Sequence, residues 1–213
     1  MDKIFIEGGR TLKGSIRISG AKNAALPLMA ATILAPGQHV LHNVPDLRDT
    51  RTMLVLLESF GITWQRREKD NALLIDATNL DNIEASYDLV KTMRASIFVL
   101  GPLLSRFKRA KVSLPGGCAI GTRPIDLHLK NLEKMGAKIV MQNGYVEATC
   151  DQLIGTKLVL DFPSGGATEN LLMAGVFAKV NSISVLISIA MLSLTFVIKA
   201  NLLLTVLMPT LIC

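Results

Sequence analysis

Acidic residues stop at Glu169, and cysteine, histidine and aromatics are sparse throughout the chain. Three cysteines (Cys118, Cys150 and Cys213) stand too far apart for a disulfide framework or a C-x-x-C metal site, which points to a reducing compartment. Three histidines do not cluster either: His39 and His42 have opposite strand parity and His128 is remote, so no protein-only metal site is expected. With aromatics at 5% and basic residues scattered rather than striped, nucleic-acid binding is not expected. No Walker loop, no Gly-x-Gly-x-x-Gly fingerprint and no Ser/His/Asp arrangement occurs. The polar start, MDKIFIEGGR, carries no apolar run of the kind a signal peptide needs.

What is present is a chain of 213 residues, 50% hydrophobic with a net charge of +6, enough for one sizeable core or two small ones. Periodicity predicts strands at Lys3–Ile6, Ser15–Ser19, His39–His42, Ile62–Arg66, Leu73–Asp76, Lys111–Leu114, Ile139–Met141 and Tyr145–Thr149. It predicts helices at Asn23–Leu34, Asp49–Phe60, Ser86–Ser105 and Ile125–Met135. The pattern repeats itself. Leu57-Glu58-Ser59-Phe60-Gly61-Ile62 matches Leu132-Glu133-Lys134-Met135-Gly136-Ala137, each a helix closing on glycine. A third copy opens at Ser164, where SGGATENLLMAG echoes SGAKNAALPLMAA from Ser19. Three mixed α/β units of about 70–75 residues are too small to stand alone and should share a core, with helices inside or against sheets.

After Lys179 the repeat fails, and Lys199 is the one charge left. Two readings remain open. Ser184–Ile198 is a charge-free stretch, though shorter than the ~18–20 residues of a spanning helix. Alternatively, the chain has left its reading frame.

Three places concentrate chemistry. Ser19-Gly20-Ala21-Lys22-Asn23 runs from a strand end into a helix head, where backbone N–H groups and Lys22 would receive an anion. An exposed lysine beside a cap is the plainer alternative. The loop Leu114-Pro115-Gly116-Gly117-Cys118-Ala119-Ile120-Gly121-Thr122-Arg123-Pro124 presents one thiol, with Arg123 near enough to favour thiolate, unless Cys118 merely fills a turn. Arg94 heads an apolar helix and needs either an anionic partner or solvent. Together Lys22, Arg94, Arg123 and Cys118 suggest a site for a phosphorylated or carboxylated small molecule.

The segments GAKNAALP, MRASI, LPGGCAIGTRPIDLH and GATENLLMA resemble the UDP-N-acetylglucosamine 1-carboxyvinyltransferases, a family of enolpyruvyl transferases. The resemblance runs from Met1 to about Lys179. It implies an α/β fold, an inside-out barrel domain of repeated mixed units, here with the third repeat incomplete. Residues 1–20 would be strands belonging with a second domain not present here, 21–179 the truncated catalytic domain, and 180–213 an apolar tail. The implied reaction moves enolpyruvate from phosphoenolpyruvate to the 3-hydroxyl of UDP-N-acetylglucosamine, releasing phosphate, in cytoplasmic peptidoglycan synthesis, without metal or cofactor. By the same resemblance Cys118 is the catalytic acid and the thiol that fosfomycin attacks. Lys22, Asn23 and Arg123 bind phosphoenolpyruvate. Arg94, Arg123, Pro124, Ile125, Asp126, Leu127 and Ser164 contact UDP-N-acetylglucosamine. The family's aspartate base and a further arginine come from the absent domain, so this chain alone is expected to turn over little. An inactive, possibly tail-anchored remnant and a 5-enolpyruvylshikimate-3-phosphate synthase-like enzyme are the alternatives. No membrane partner is expected unless the tail is genuine.

Overall fold

Two helix ends with nearly the same sequence fold alike. Helix α2 (Arg48–Glu58) and helix α5 (Asp126–Lys134) each close on a left-handed glycine, Gly61 at φ +87° and Gly136 at φ +94°. In both, the residue after glycine donates its N–H five residues back (Ile62 to Leu57, Ala137 to Leu132) and the glycine donates three back (Gly61 to Glu58, Gly136 to Glu133). This paired bonding satisfies carbonyls that the helix end would otherwise leave bare. The buried faces agree too, 75 residues apart: Met53, Leu54, Leu56 and Leu57 on α2, His128, Leu129, Asn131 and Leu132 on α5.

The computed structural model describes residues 3–9, 11, 13–16, 18–90, 93–114, 125–179 and 184–186. Its first unit comprises helix α1 (Lys22–Ala31) with a 3₁₀ turn (Thr32–Leu34), strand β1 (Gln38–Leu41), α2, and strands β2 (Thr63–Arg67) and β3 (Ala72–Asp76). The second holds strand β4 (Glu84–Ala85), a short helix α3 (Tyr87–Val90), a 3₁₀ segment (Arg94–Val99), helix α4 (Leu100–Phe107), strand β5 (Arg109–Ser113), α5, and strands β6 (Lys138–Gln142) and β7 (Tyr145–Thr149). The third shows strand β8 (Lys157–Val159), helix α6 (Gly165–Gly175) and strand β9 (Ser184–Leu186). The sheet orders β1-β3-β2 and β4-β5-β7-β6 share the same antiparallel core. β6 and β7 meet in a two-residue turn, with Asn143 at φ 51° and Gly144 at φ 77°. Positive φ at both central residues gives the twist that suits a hairpin.

The helices preceding β1, β5 and β9 form the inside. α6 packs on both α4 and α1, and all three bury apolar side chains: Leu26 and Met29, Leu103 and Leu104, Leu171 and Ala174. α4 and α6 approach closely at Gly101, where a Cβ would collide with the backbone and side-chain oxygens of Asn170. Ser105 donates to Ala174 O at 2.8 Å in the same seam. The sheets stay separate, and no closed barrel forms among the described residues.

Three expectations need correcting. Lys3–Ile6 and Ser15–Ser19 are not strands in any of their described residues, and Ile4, Phe5, Ile6, Ile16 and Ile18 are 82–90% exposed. Strand alternation is necessary but not sufficient, because a strand exists only against a partner. The single helix expected over Ser86–Ser105 is instead α3, a 3₁₀ segment and α4. β8, β9 and the two-residue β4 are too short for periodicity to reveal. Beyond Leu186 the tail lies outside the described residues. No described helix is long and apolar enough to cross a membrane.

Candidate functional site

Helix heads carry the described site residues. α1 starts at Lys22, and Ala21 before it is extended (φ −92°, ψ 130°) and supplies no side-chain cap. The N–H groups of Ala24 and Ala25 turn back to Ala21 O, so the first N–H groups of α1, at Lys22 and Asn23, face outward beside two exposed side chains. That leaves an N-terminus able to receive an anion. Lys22 Nζ lies 2.8 Å from Asp49 Oδ2 in the first turn of α2, with both side chains part-exposed (45% and 35%). An ion pair this exposed is worth little, about 0–1 kcal/mol, so a phosphate can take the lysine from Asp49 at small cost. Sequence reading missed Asp49 as Lys22's partner, although both lie where a helix opens.

α6 begins differently. Ser164 caps it, its Oγ accepting from Ala167 N–H at 3.2 Å, while Thr168 donates its hydroxyl to Ser164 O at 2.8 Å. Gly165 and Gly166 follow with no acidic residue in the first turn. Gly166 brings three elements together: a Cβ there would stand 3.2 Å from Phe98 of the 3₁₀ segment and 4.0 Å from His128 of α5. Ile125 is the N-cap residue of α5, Asp126 opens the helix exposed to solvent, and Leu127 is buried. A nucleotide contact through Leu127 would therefore have to use its backbone. Arg94 is the first residue of the 3₁₀ segment, which packs on both α1 and α6. Its side chain, like Cys118, Arg123 and Pro124, lies outside the described part. The structure thus gathers Phe98, His128 and Gly166 at one place, sets Ser164 and Asp126 close along the chain from it, and pairs Lys22 with Asp49 at the head of α1.

Behind this surface lies a buried polar relay that sequence reading did not single out. Gly101 N–H donates to Asn170 Oδ1 at 2.8 Å, and Asn170 Nδ2 lies 3.0 Å from His128 Nδ1. Because a backbone N–H can only donate, it fixes the Asn170 amide, so Nδ2 faces the imidazole and Nδ1 accepts. His128 is thereby held with Nδ1 unprotonated, tying the head of α5 to α4 and α6. One residue before Asn170, Glu169 is half-buried, and burial pushes its carboxyl up to about 7. The GATEN segment held both residues in view; what one sequence could not supply was which side of α6 faces inward.

Cys150 follows β7 and is buried, with Sγ 3.9 Å from Leu104 O, and burial pushes its thiol up. That is an inert thiol. Among the described residues no three His, Cys, Asp or Glu side chains gather in a way that could hold a metal ion.

A family model described as EPSP synthase (3-phosphoshikimate 1-carboxyvinyltransferase) matches residues 6–205. The chain belongs to this family. Within the EPSP synthase family its similar curated relatives carry another name. It is 55% identical over 184 residues to the UDP-N-acetylglucosamine 1-carboxyvinyltransferase of Trichlorobacter lovleyi, covering 86% of this chain and 43% of that protein. To the protein of the same name from Thermodesulfovibrio yellowstonii it is 55% identical over 179 residues, or 84% of this chain and 42% of the relative. The chain therefore spans less than half the length of these relatives. Among solved structures, the enolpyruvyl transferase NikO from Streptomyces tendae superposes with a TM-score of 0.67 at 23% identity, over 83% of this chain and 41% of that one. An EPSP synthase from Acinetobacter baumannii gives 0.66 at 20% identity, over 85% and 42%. At these identities the likeness establishes the fold, which is that of the enolpyruvyl transferases.

Proposed function

We propose that this chain is part of an enzyme that transfers enolpyruvate from phosphoenolpyruvate to the 3-hydroxyl of UDP-N-acetylglucosamine, releasing phosphate, in peptidoglycan synthesis. The observation that carries the reading is the conjunction of an uncapped α1 head bearing Lys22 and Asn23 with close relatives of that name. EPSP synthase activity is the second reading, favoured by the description of the family model. Against it stand the Pro-Gly-Gly-Cys loop at 115–118 and the 55% identity to differently named relatives.

In this reading Lys22, Asn23 and Arg123 hold the phosphate and carboxylate of phosphoenolpyruvate, where fixed positive charge stabilises the developing species. Cys118 delivers a proton to the methylene carbon as the sugar 3-oxygen bonds to the neighbouring carbon. The tetrahedral adduct then loses that methyl proton and phosphate, which restores the vinyl group on the sugar oxygen. Arg94, the run Arg123-Pro124-Ile125-Asp126-Leu127 and Ser164 grip the nucleotide sugar, and closing the loop that carries Cys118 excludes water. Residues 1–20 belong with a second domain, which also supplies an aspartate base. Catalysis needs both walls of the cleft. In a phosphate-release assay with both substrates, the chain alone is expected to stay below a tenth of the rate of a full-length relative; turnover above that would refute the two-wall reading.

A further inference from the structure

The buried relay joins three helices near their heads. Gly101 is the second residue of α4 and His128 the third of α5, while Asn170 lies in the second turn of α6. A helix head leaves N–H groups that cannot bond within the helix itself. In α4 one of these, Gly101 N–H, is satisfied by Asn170 Oδ1 at 2.8 Å. In α5 the N–H groups of His128 and Leu129 both reach Ile125 O, so those of Asp126 and Leu127 stand ahead of the helical ladder. In α6 Ala167 N–H bonds to Ser164 Oγ and Thr168 N–H to Ser164 O, so those of Gly165 and Gly166 stand ahead of it. The two heads lie close together, since a Cβ on Gly166 would be 4.0 Å from His128 Cε1.

Hydrogen-bond chemistry in the core holds that spacing. Asn170 and His128 are both buried, at 0% and 8% exposed. Gly101 N–H can only donate, so it claims Asn170 Oδ1 and turns Nδ2 toward His128 Nδ1 at 3.0 Å. A shift of α5 against α6 would part Nδ2 from Nδ1 where no bulk water replaces either. Apolar side chains could fill the same space in several arrangements, whereas a matched polar set admits one. α4 and α6 are tied a second time, Ser105 donating to Ala174 O at 2.8 Å. For α5 the link through His128 is the buried one, since its ion pair from Lys130 to Asp161, in the segment before α6, is exposed at 54% and 62%. His128 is therefore the residue on which the place of the α5 head depends.

We propose that His128 and Asn170 are positioning residues of the nucleotide-sugar site, holding the heads of α5 and α6 at the separation where both grip one diphosphate. The role rests on the contacts proposed above for Asp126, Leu127 and Ser164. Two helix heads suit a diphosphate because each presents unbonded N–H groups and a positive dipole end to one phosphate. Neither His128 nor Asn170 touches the reacting atoms. Both act through the backbone of the helices that they lock together.

Calorimetric titration of the full chain with UDP and with UMP tests this. The parent is expected to bind UDP at least about tenfold more tightly than UMP, since only a diphosphate reaches both heads. His128→Leu should weaken UDP at least about tenfold and UMP less than about threefold, so the preference collapses. His128→Asn puts a carbonyl oxygen where Nδ1 stands and should keep the preference, a rescue that general destabilisation would not produce. Nitrogen NMR of the imidazole reads the relay without any ligand. At about pH 8 the parent should carry its ring proton on Nε2, and Asn170→Asp, whose carboxylate accepts, should move a proton to Nδ1. A preference for UDP that survives His128→Leu, or a parent imidazole protonated at Nδ1, would overturn the proposal and leave the nucleotide reading standing. A parent chain that binds neither nucleotide would overturn both.

Discussion

Glu169 and Cys150 show how one residue's surroundings set its chemistry. Burial holds the Glu169 carboxyl near pH 7 in the folded chain, against an ordinary value of 4.5. The folded state therefore keeps a proton that the unfolded chain has lost, and stability falls as pH rises from about 4.5 to 7. Glu169→Gln should leave the midpoint of urea unfolding nearly unchanged at pH 4 and add about 1–2 kcal/mol of stability at pH 8, a discounted value for a half-buried group. An equal effect at both pH values would mean that burial does not disfavour the charge. Cys150 makes the opposite case, a thiol kept protonated and out of reach. A small electrophile should modify Cys118 faster than Cys150 in the folded protein, followed by peptide mass spectrometry, and the two rates should converge in denaturant. Equal rates in the native chain would remove Cys118 from the proposed site.

At the scale of elements, the seam between α4 and α6 sets the geometry of the candidate site. Gly101→Ala would drive a methyl into Asn170 and should cost about 2–3 kcal/mol, read from chemical unfolding. Asn170→Leu leaves Gly101 N–H and His128 Nδ1 without this partner and should cost a similar amount, about 2–3 kcal/mol. If either variant unfolds like the parent, the relay is not holding the helices. Much of this was legible beforehand. The ends of α2 and α5 follow from glycine's left-handed conformation, and β7 was placed to the residue, because local chemistry decides both. The Gly101–Asn170–His128 relay was not legible, because its members stand 69 and 42 residues apart and meet only once the repeats pack. Nor could alternation alone show that Ser15–Ser19 is not a strand in its described residues, since pairing is decided by the rest of the fold.

Taken whole, the molecule is three repeats of one α/β unit with their inner helices in contact, belonging to a family whose matched relatives are about twice as long. Among the described residues β1 is the outermost strand of its sheet, and Ile4, Phe5, Ile6, Ile16 and Ile18 stand in solvent. In the proposed function the substrate site is divided: the head of α1 receives an anion on this side, and an aspartate comes from the other. The most direct measurement joins this chain to the missing half of the Trichlorobacter lovleyi relative and follows phosphate release from phosphoenolpyruvate. The account predicts release that depends on UDP-N-acetylglucosamine and falls at least about a hundredfold in Lys22→Ala, as loss of a charge on the reacting phosphate should. Release driven by shikimate 3-phosphate instead, or a rate unchanged by Lys22→Ala, would contradict it.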